Sequence, residues 1–140
     1  MIPKFRAWNK NLKTMHGTDD IVFIDFEEEE ICVQTIYFEQ GLPDERDLDF
    51  YIFDEIEFMQ SIGLFDKNGK EVFENDVIRD SDGFEGIVQY DESYGMYGIA
   101  YLPIESNGID MTFEELKDKY RNKFEVVGNI YENPELLEGE

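Results

Sequence analysis

Among the residue types suited to nucleophilic or proton-transfer chemistry, histidine and cysteine each occur once in the 140-residue chain, as His16 and Cys32. A thiolate–imidazole pair needs both groups within hydrogen-bond reach, so that the base can lower the thiol's pKa. Cys32 stands in the apolar run Ile31-Cys32-Val33, where a thiol packs as a small buried hydrophobe. His16 precedes Gly17 in a polar stretch and reads as an exposed turn residue. The sequence therefore predicts no working dyad. One histidine and one cysteine also fall short of the ligand sets that zinc uses.

Carboxylates are so abundant that any two could be named an acid–base pair, and abundance without geometry carries no information. Asp80-Ser81-Asp82-Gly83-Phe84-Glu85 opens like a calcium loop. It lacks the third acidic position before its glycine and the glutamate at the twelfth place, so it reads as a hairpin turn. Asp66-Lys67-Asn68-Gly69-Lys70 has one glycine and no Gly-Lys-Ser/Thr ending, which excludes a Walker phosphate loop. Gly95 and Gly98 form no dinucleotide fingerprint, and there is no Gly-x-Ser-x-Gly elbow. The sequence predicts no catalytic, cofactor-binding or metal-ligating residue.

The net charge is −22 and is unevenly spread. Residues 1–18 carry +4 through Lys4, Arg6, Lys10 and Lys13, residues 19–57 carry −14 with Arg46 as the lone cation, and residues 58–140 carry −12. Such a field repels phosphate backbones and anionic membranes, because binding to either rests on Lys and Arg. It attracts and steers a basic partner, with strong salt dependence. The basic N-terminal strand is expected to pair with the acidic segment that follows. The alternative is a homo-oligomer in which it meets another copy's acidic face. Trp8 is assigned to the core, although an aromatic residue there could instead anchor a contact.

These residues must be positioned by a folded domain. The chain is 41% hydrophobic and 15% aromatic, richer in aromatics than disordered acidic chains, and its 12 Phe and 8 Tyr are expected to drive the packing of a core. Lys4 to Trp8 alternates like a half-buried strand, with Phe5 and Ala7 on one face and Lys4, Arg6 and Trp8 on the other. Ile21–Ile24 and Ile31–Phe38 read as strands joined by the solvated run 27–30. Residues 41–56 fit a strand or a short helix, since Leu48, Tyr51, Ile52 and Glu55 fall at helical spacing. Glu57–Ile62 reads as a strand ended by Gly63. Hairpins are expected around Asn68-Gly69 and between 86–90 and 98–102. Thr112-Phe113-Glu114-Glu115 is a capping box opening a helix with Phe113, Leu116, Tyr120 and Phe124 as its apolar stripe. Arg121 and Lys123 complement its C-terminal end. A final strand runs to Asn133-Pro134, and the tail Glu135–Glu140 is expected to fray.

Three blocks carry a resemblance: Phe5–Asn9, Met59–Ile78 and Glu125–Leu136. Their residues and order resemble the YopX family of small bacteriophage and prophage proteins. The family pattern usually has Asp where Asn9 stands and Thr where Ile62 stands. The resemblance implies a mainly β (α+β) fold, with an SH3-like β-barrel in the C-terminal half, an N-terminal β-rich subdomain and one late helix. The boundary is set at residues 1–56 and 57–140. It implies no catalytic residues and no cofactor. The matched positions Phe5, Trp8, Gly63, Gly69, Asp76, Gly128 and Asn133 read as structural. With no leader-like apolar stretch and no membrane-length run, a bacterial cytoplasmic location is expected. The expected function is a non-enzymatic accessory protein that binds an unidentified protein, a basic one being the candidate that the charge selects. One alternative is an acidic decoy that mimics nucleic acid toward a DNA-binding protein. The other is an enzyme using carboxylates and a metal.

Overall fold

The computed structural model describes residues 2–105, 108–120 and 123–138, and for 117–120 the backbone alone. The chain is mainly β with one α-helix and forms two compact units, Lys4–Met59 and Gln60–Glu140 with Met1–Pro3.

In the N-terminal unit, β1 (Phe5–Asn9) lies between β2 (Thr14–His16) and β6 (Ile56–Phe65). Asn9 makes the intervening turn. Its fully buried Oδ1 accepts the Asn11 and Leu12 N–H groups at 3.1 and 2.9 Å. Neighbours on both edges bury β1 more completely than simple alternation predicts: Arg6, Ala7, Trp8 and Asn9 are all buried. Arg6 donates from Nε to the Met59 sulfur at 3.4 Å. Lys10 pairs with Glu57 at 3.4 Å, so this cation is used within the chain.

The same unit holds an antiparallel meander of β3 (Ile21–Asp25), β4 (Glu30–Glu39) and β5 (Leu42–Ile52). The ambiguous segment 41–56 thus resolves into a strand of 11 residues and a 3-10 turn at Phe53–Glu55. Tertiary pairing decides it: ten β4–β5 residue pairs run from Glu30–Ile52 to Glu39–Leu42, which no helix in this segment could supply. Ala7, Ile31, Val33 and Ile56 form the core, with Ile21, Ile24, Tyr51, Phe53 and Phe58 packed against it.

In the C-terminal unit, the last part of β6 pairs with β7 (Glu71–Phe73). A five-stranded antiparallel sheet curls as a half-barrel in the order β11 (Met111–Thr112), β10 (Met96–Tyr101), β9 (Glu85–Asp91), β8 (Asp76–Arg79), β12 (Glu125–Asn129). Gly63 does not end β6. It takes φ +81° and lets the strand run on to Phe65 across a register shift. The helix α1 (Phe113–Tyr120) starts where expected, with the Thr112 hydroxyl accepting the Glu115 N–H at 3.1 Å. Phe113 and Leu116 bury the helix's stripe against Val72, Ile78, Val88 and Ile99. Phe124, expected on that stripe, lies beyond the end of α1 and joins the same core from the segment before β12. The Tyr120 side chain and Arg121 lie outside the described residues.

The tail departs from the expected frayed end. Pro134–Glu138 forms a 3-10 turn, the Asn133 Oδ1 accepts the Asn129 N–H at 3.2 Å, and Asn129 Oδ1 accepts Tyr131 and Glu132 N–H. Residues 139–140 lie outside the described residues. Gly128 makes this possible, because a Cβ there would stand 2.8 Å from Asn133 Cγ and 2.9 Å from Leu136 Cδ1. Gly128→Ala is expected to destabilise the C-terminal unit by about 2 kcal/mol, the range for overpacking a tight contact. Chemical denaturation checks this, and an unchanged midpoint would show that the Asn133 turn yields without cost.

Candidate functional site

The ribbon of β4 and β5 carries the exposed chemistry of the N-terminal unit. Directly paired residues share a sheet face and successive residues alternate. Register therefore places Ile31 with Tyr51, Val33 with Asp49, Thr35 with Asp47 and Tyr37 with Glu45 on one face. Cys32 with Phe50, Gln34 with Leu48 and Ile36 with Arg46 lie on the other. Ten of the 11 residues of β5 are exposed, and so are the last five of β4. Leu42 is 69% exposed and Phe50 55%, and Ile36, Tyr37, Phe38, Leu48 and Ile52 are also exposed.

Beside β2, an open groove of 590 Å³ is lined by His16, Asp20, Val33, Asp49 and Tyr51 among others, and reaches Gln34 and Ile36 on the ribbon's margin. His16 is half-buried, not the exposed turn residue expected from its sequence context. Its ring stacks on Tyr51 with centroids 5.4 Å apart and planes 23° from parallel. Burial pushes its pKa down, against the upward pull of Asp20 and Asp49. Asn9 Nδ2 lies 3.4 Å from His16 Nε2, a contact that suits a neutral ring protonated at Nδ1. Burial likewise raises the pKa of Tyr51, with Asp49 and Glu55 adding to it. A neutral imidazole and a neutral phenol thus lie beside the carboxylates of Asp20 and Asp49.

Cys32 is fully buried and free, as expected, and burial raises its thiol pKa. It belongs to the face of Phe50, while His16 stacks on Tyr51 of the opposite face. The sheet separates the two, so they form no dyad.

The loops that resemble ligand sites use their carboxylates on their own main chain. Asp80 Oδ1 accepts the Asp82 and Phe84 N–H groups at 2.9 and 3.0 Å, and Oδ2 accepts the Tyr101 hydroxyl at 2.9 Å. Asp66 Oδ1 accepts Asn68 and Lys70 N–H at 2.9 and 2.8 Å, and Oδ2 accepts Val126 N–H at 2.9 Å. Burial works to raise the Asp66 pKa, but the three N–H bonds and Lys70 outweigh it and hold the carboxyl below its ordinary value. Among the described residues no group of three or more His, Cys, Asp or Glu side chains is arranged to hold a metal ion. In a second groove of 330 Å³, near Met96, Asp110 and Thr112, the Thr112 hydroxyl caps α1 and Asp110 accepts the Tyr101 N–H. No helix among the described residues is long and apolar enough to cross a membrane.

Sequence reasoning missed the exposed apolar surface of the ribbon. Its signal was present in the alternation of Glu45, Asp47 and Asp49 with Leu48, Phe50 and Ile52, but the helical spacing of neighbouring residues obscured it.

The family model described as YopX protein matches residues 4–138. The crystal structure of protein EF1440 from Enterococcus faecalis is similar, with a TM-score of 0.64 and 27% identity over 98% of this chain and 99% of that one. No curated protein matches.

Proposed function

The chain belongs to the YopX protein family, and from that premise we propose that it is a non-enzymatic protein-interaction module working through the β4–β5 ribbon. One observation carries the reading: seven large hydrophobic side chains, from Ile36 to Ile52, stand in water on β4 and β5, whose far part extends beyond β3 as two strands alone. A lone ribbon is marginal in water, and contiguous exposed apolar surface marks contact sites. A partner that covers these side chains gains their burial at about 25 cal/mol per Å² before the costs of association. The separation of His16 from Cys32 and the structural use of Asp66 and Asp80 support a role without bond-breaking chemistry. The setting implied by the family resemblance, a phage or prophage accessory protein in the bacterial cytoplasm, is part of this proposal. So is the reading of the curled C-terminal sheet as an SH3-like barrel, supported by its short antiparallel strands and single helix.

Affinity capture from bacterial lysate with the wild type and with Phe38→Ser/Phe50→Ser tests this. Both positions are exposed, so the variant keeps the fold. A protein retained in stoichiometric amount by the wild type and reduced at least about tenfold by the variant is expected. Equal recovery by both would overturn the assignment to the ribbon.

The carboxylates Asp20 and Asp49, which make no ion pair among the described residues, favour a narrower form of the reading, in which the partner is a basic DNA-binding protein held off its DNA. Duplex DNA added during capture would then displace the partner. Retention in excess DNA would exclude it.

A further inference from the structure

The strand β5 ends its sheet: β4 pairs with it on one side, and among the described residues no strand pairs with the other. Folded proteins normally shorten, cover, twist or charge such edges, because a row of open N–H and C=O groups templates pairing with another chain, and the charges then decide which chains are kept off. Here the edge is 11 residues long and ten of them are exposed. Pro43, a residue confined to sheet edges, sits near its start.

The edge is two-sided. Glu45, Asp47 and Asp49 line one face, and Leu48, Phe50 and Ile52 continue the other beyond Arg46. Asp44, Glu45, Asp47 and Asp49 have no Lys or Arg partner among the described residues. An added strand would therefore meet carboxylates at alternate positions and apolar side chains between them.

That pattern selects the occupant. In antiparallel pairing of β5 with β5 of a second copy, the numbers of paired residues sum to a constant. The even sum that overlaps the two strands fully, 94, sets Glu45 against Asp49 and Asp47 against itself. An odd sum sets the acidic face beside the apolar one. Like charges directly opposed are destabilising, and carboxylates set beside apolar side chains forgo the ion pairs a basic strand would make, so a second copy fits this edge less well than a basic segment does. The chain's own basic strand, β1, already has neighbours on both edges. Resting on the interaction reading above, we propose that the outer edge of β5 takes up an extended segment of a different protein, one that alternates basic and apolar residues. The main chain supplies strand pairing, and the alternating side chains supply recognition.

The test uses the full chain and fluorescently labelled ten-residue peptides, with binding read as anisotropy. The probe alternates lysine and valine. Controls are a glutamate–valine alternation, a block peptide of five lysines followed by five valines, and the lysine–valine peptide N-methylated at every second residue. Saturable binding of the alternating peptide is expected. The block and N-methylated forms should bind at least about tenfold more weakly, because each lacks either the period-two pattern or the donors an edge needs. Asp47→Lys/Asp49→Lys should reverse the preference toward the glutamate peptide. Equal binding of the block or N-methylated peptide would show charge attraction without strand pairing and overturn the proposal. Absence of alternating-peptide binding, with a lysate partner still lost on Phe38→Ser/Phe50→Ser, would also overturn it while the interaction reading stood.

Discussion

Phe124→Ala is expected to lower the stability of the C-terminal unit by about 4 kcal/mol, within the range for truncating a buried phenylalanine. Phe124 is 1% exposed and lies edge-on to Phe113 with ring centroids 5.7 Å apart. The core around it joins α1 to β7, β8, β9 and β10, through Leu116, Val72, Ile78, Val88 and Ile99. A cavity there cannot close without moving several elements, so the cost includes lost contacts as well as lost transfer free energy. With domain stabilities of about 5–15 kcal/mol, such a loss takes much of the total. Amide hydrogen exchange of β9 and β10 measures it locally. A change below about 1 kcal/mol would mean the cavity collapses and Phe124 is not the packing centre described.

Asp66→Ala should cost about 3 kcal/mol and change the pH dependence of stability. The carboxylate accepts three main-chain N–H groups, one from Val126, 60 residues away. Removing it orphans these donors at a site that is 6% exposed, and bonds to a charged acceptor contribute about 1.5–3 kcal/mol each before compensation. The folded-state pKa lies below the ordinary 3.8, so the contribution is fully present above that value. It is lost as pH falls through 3.8 toward the folded-state pKa. Urea denaturation from pH 7 to pH 2 should show wild type losing stability across this window, with Asp66→Asn lower at neutral pH and flatter below it. Parallel curves for wild type and Asp66→Asn would show that Asp66 titrates as an ordinary carboxyl.

Much of the architecture was legible in residue order. The Asn68-Gly69 hairpin, the Thr112 cap and the strands around Ile21 and Ile31 rest on local chemistry: backbone freedom, orphan-amide capping and period-two alternation. The aromatic count misled where it was taken as core. Phe23, Phe26, Phe38, Phe50, Phe65 and Phe84 are all exposed, while Phe113 and Phe124 carry the packing. A covered face and an open one have the same alternation in sequence, so composition cannot tell them apart.

The amino-acid order by itself determined the β character, the acidic surface, the late helix and the family, because each follows from short-range pattern or direct likeness. Tertiary structure alone decided that β1 is buried on both faces, that the segment from Leu42 is an edge strand, and that Cys32 and His16 lie across a sheet from one another. Those facts depend on which distant strands pair and where pairing stops. Burial and edge status belong to that pairing and not to any residue taken singly.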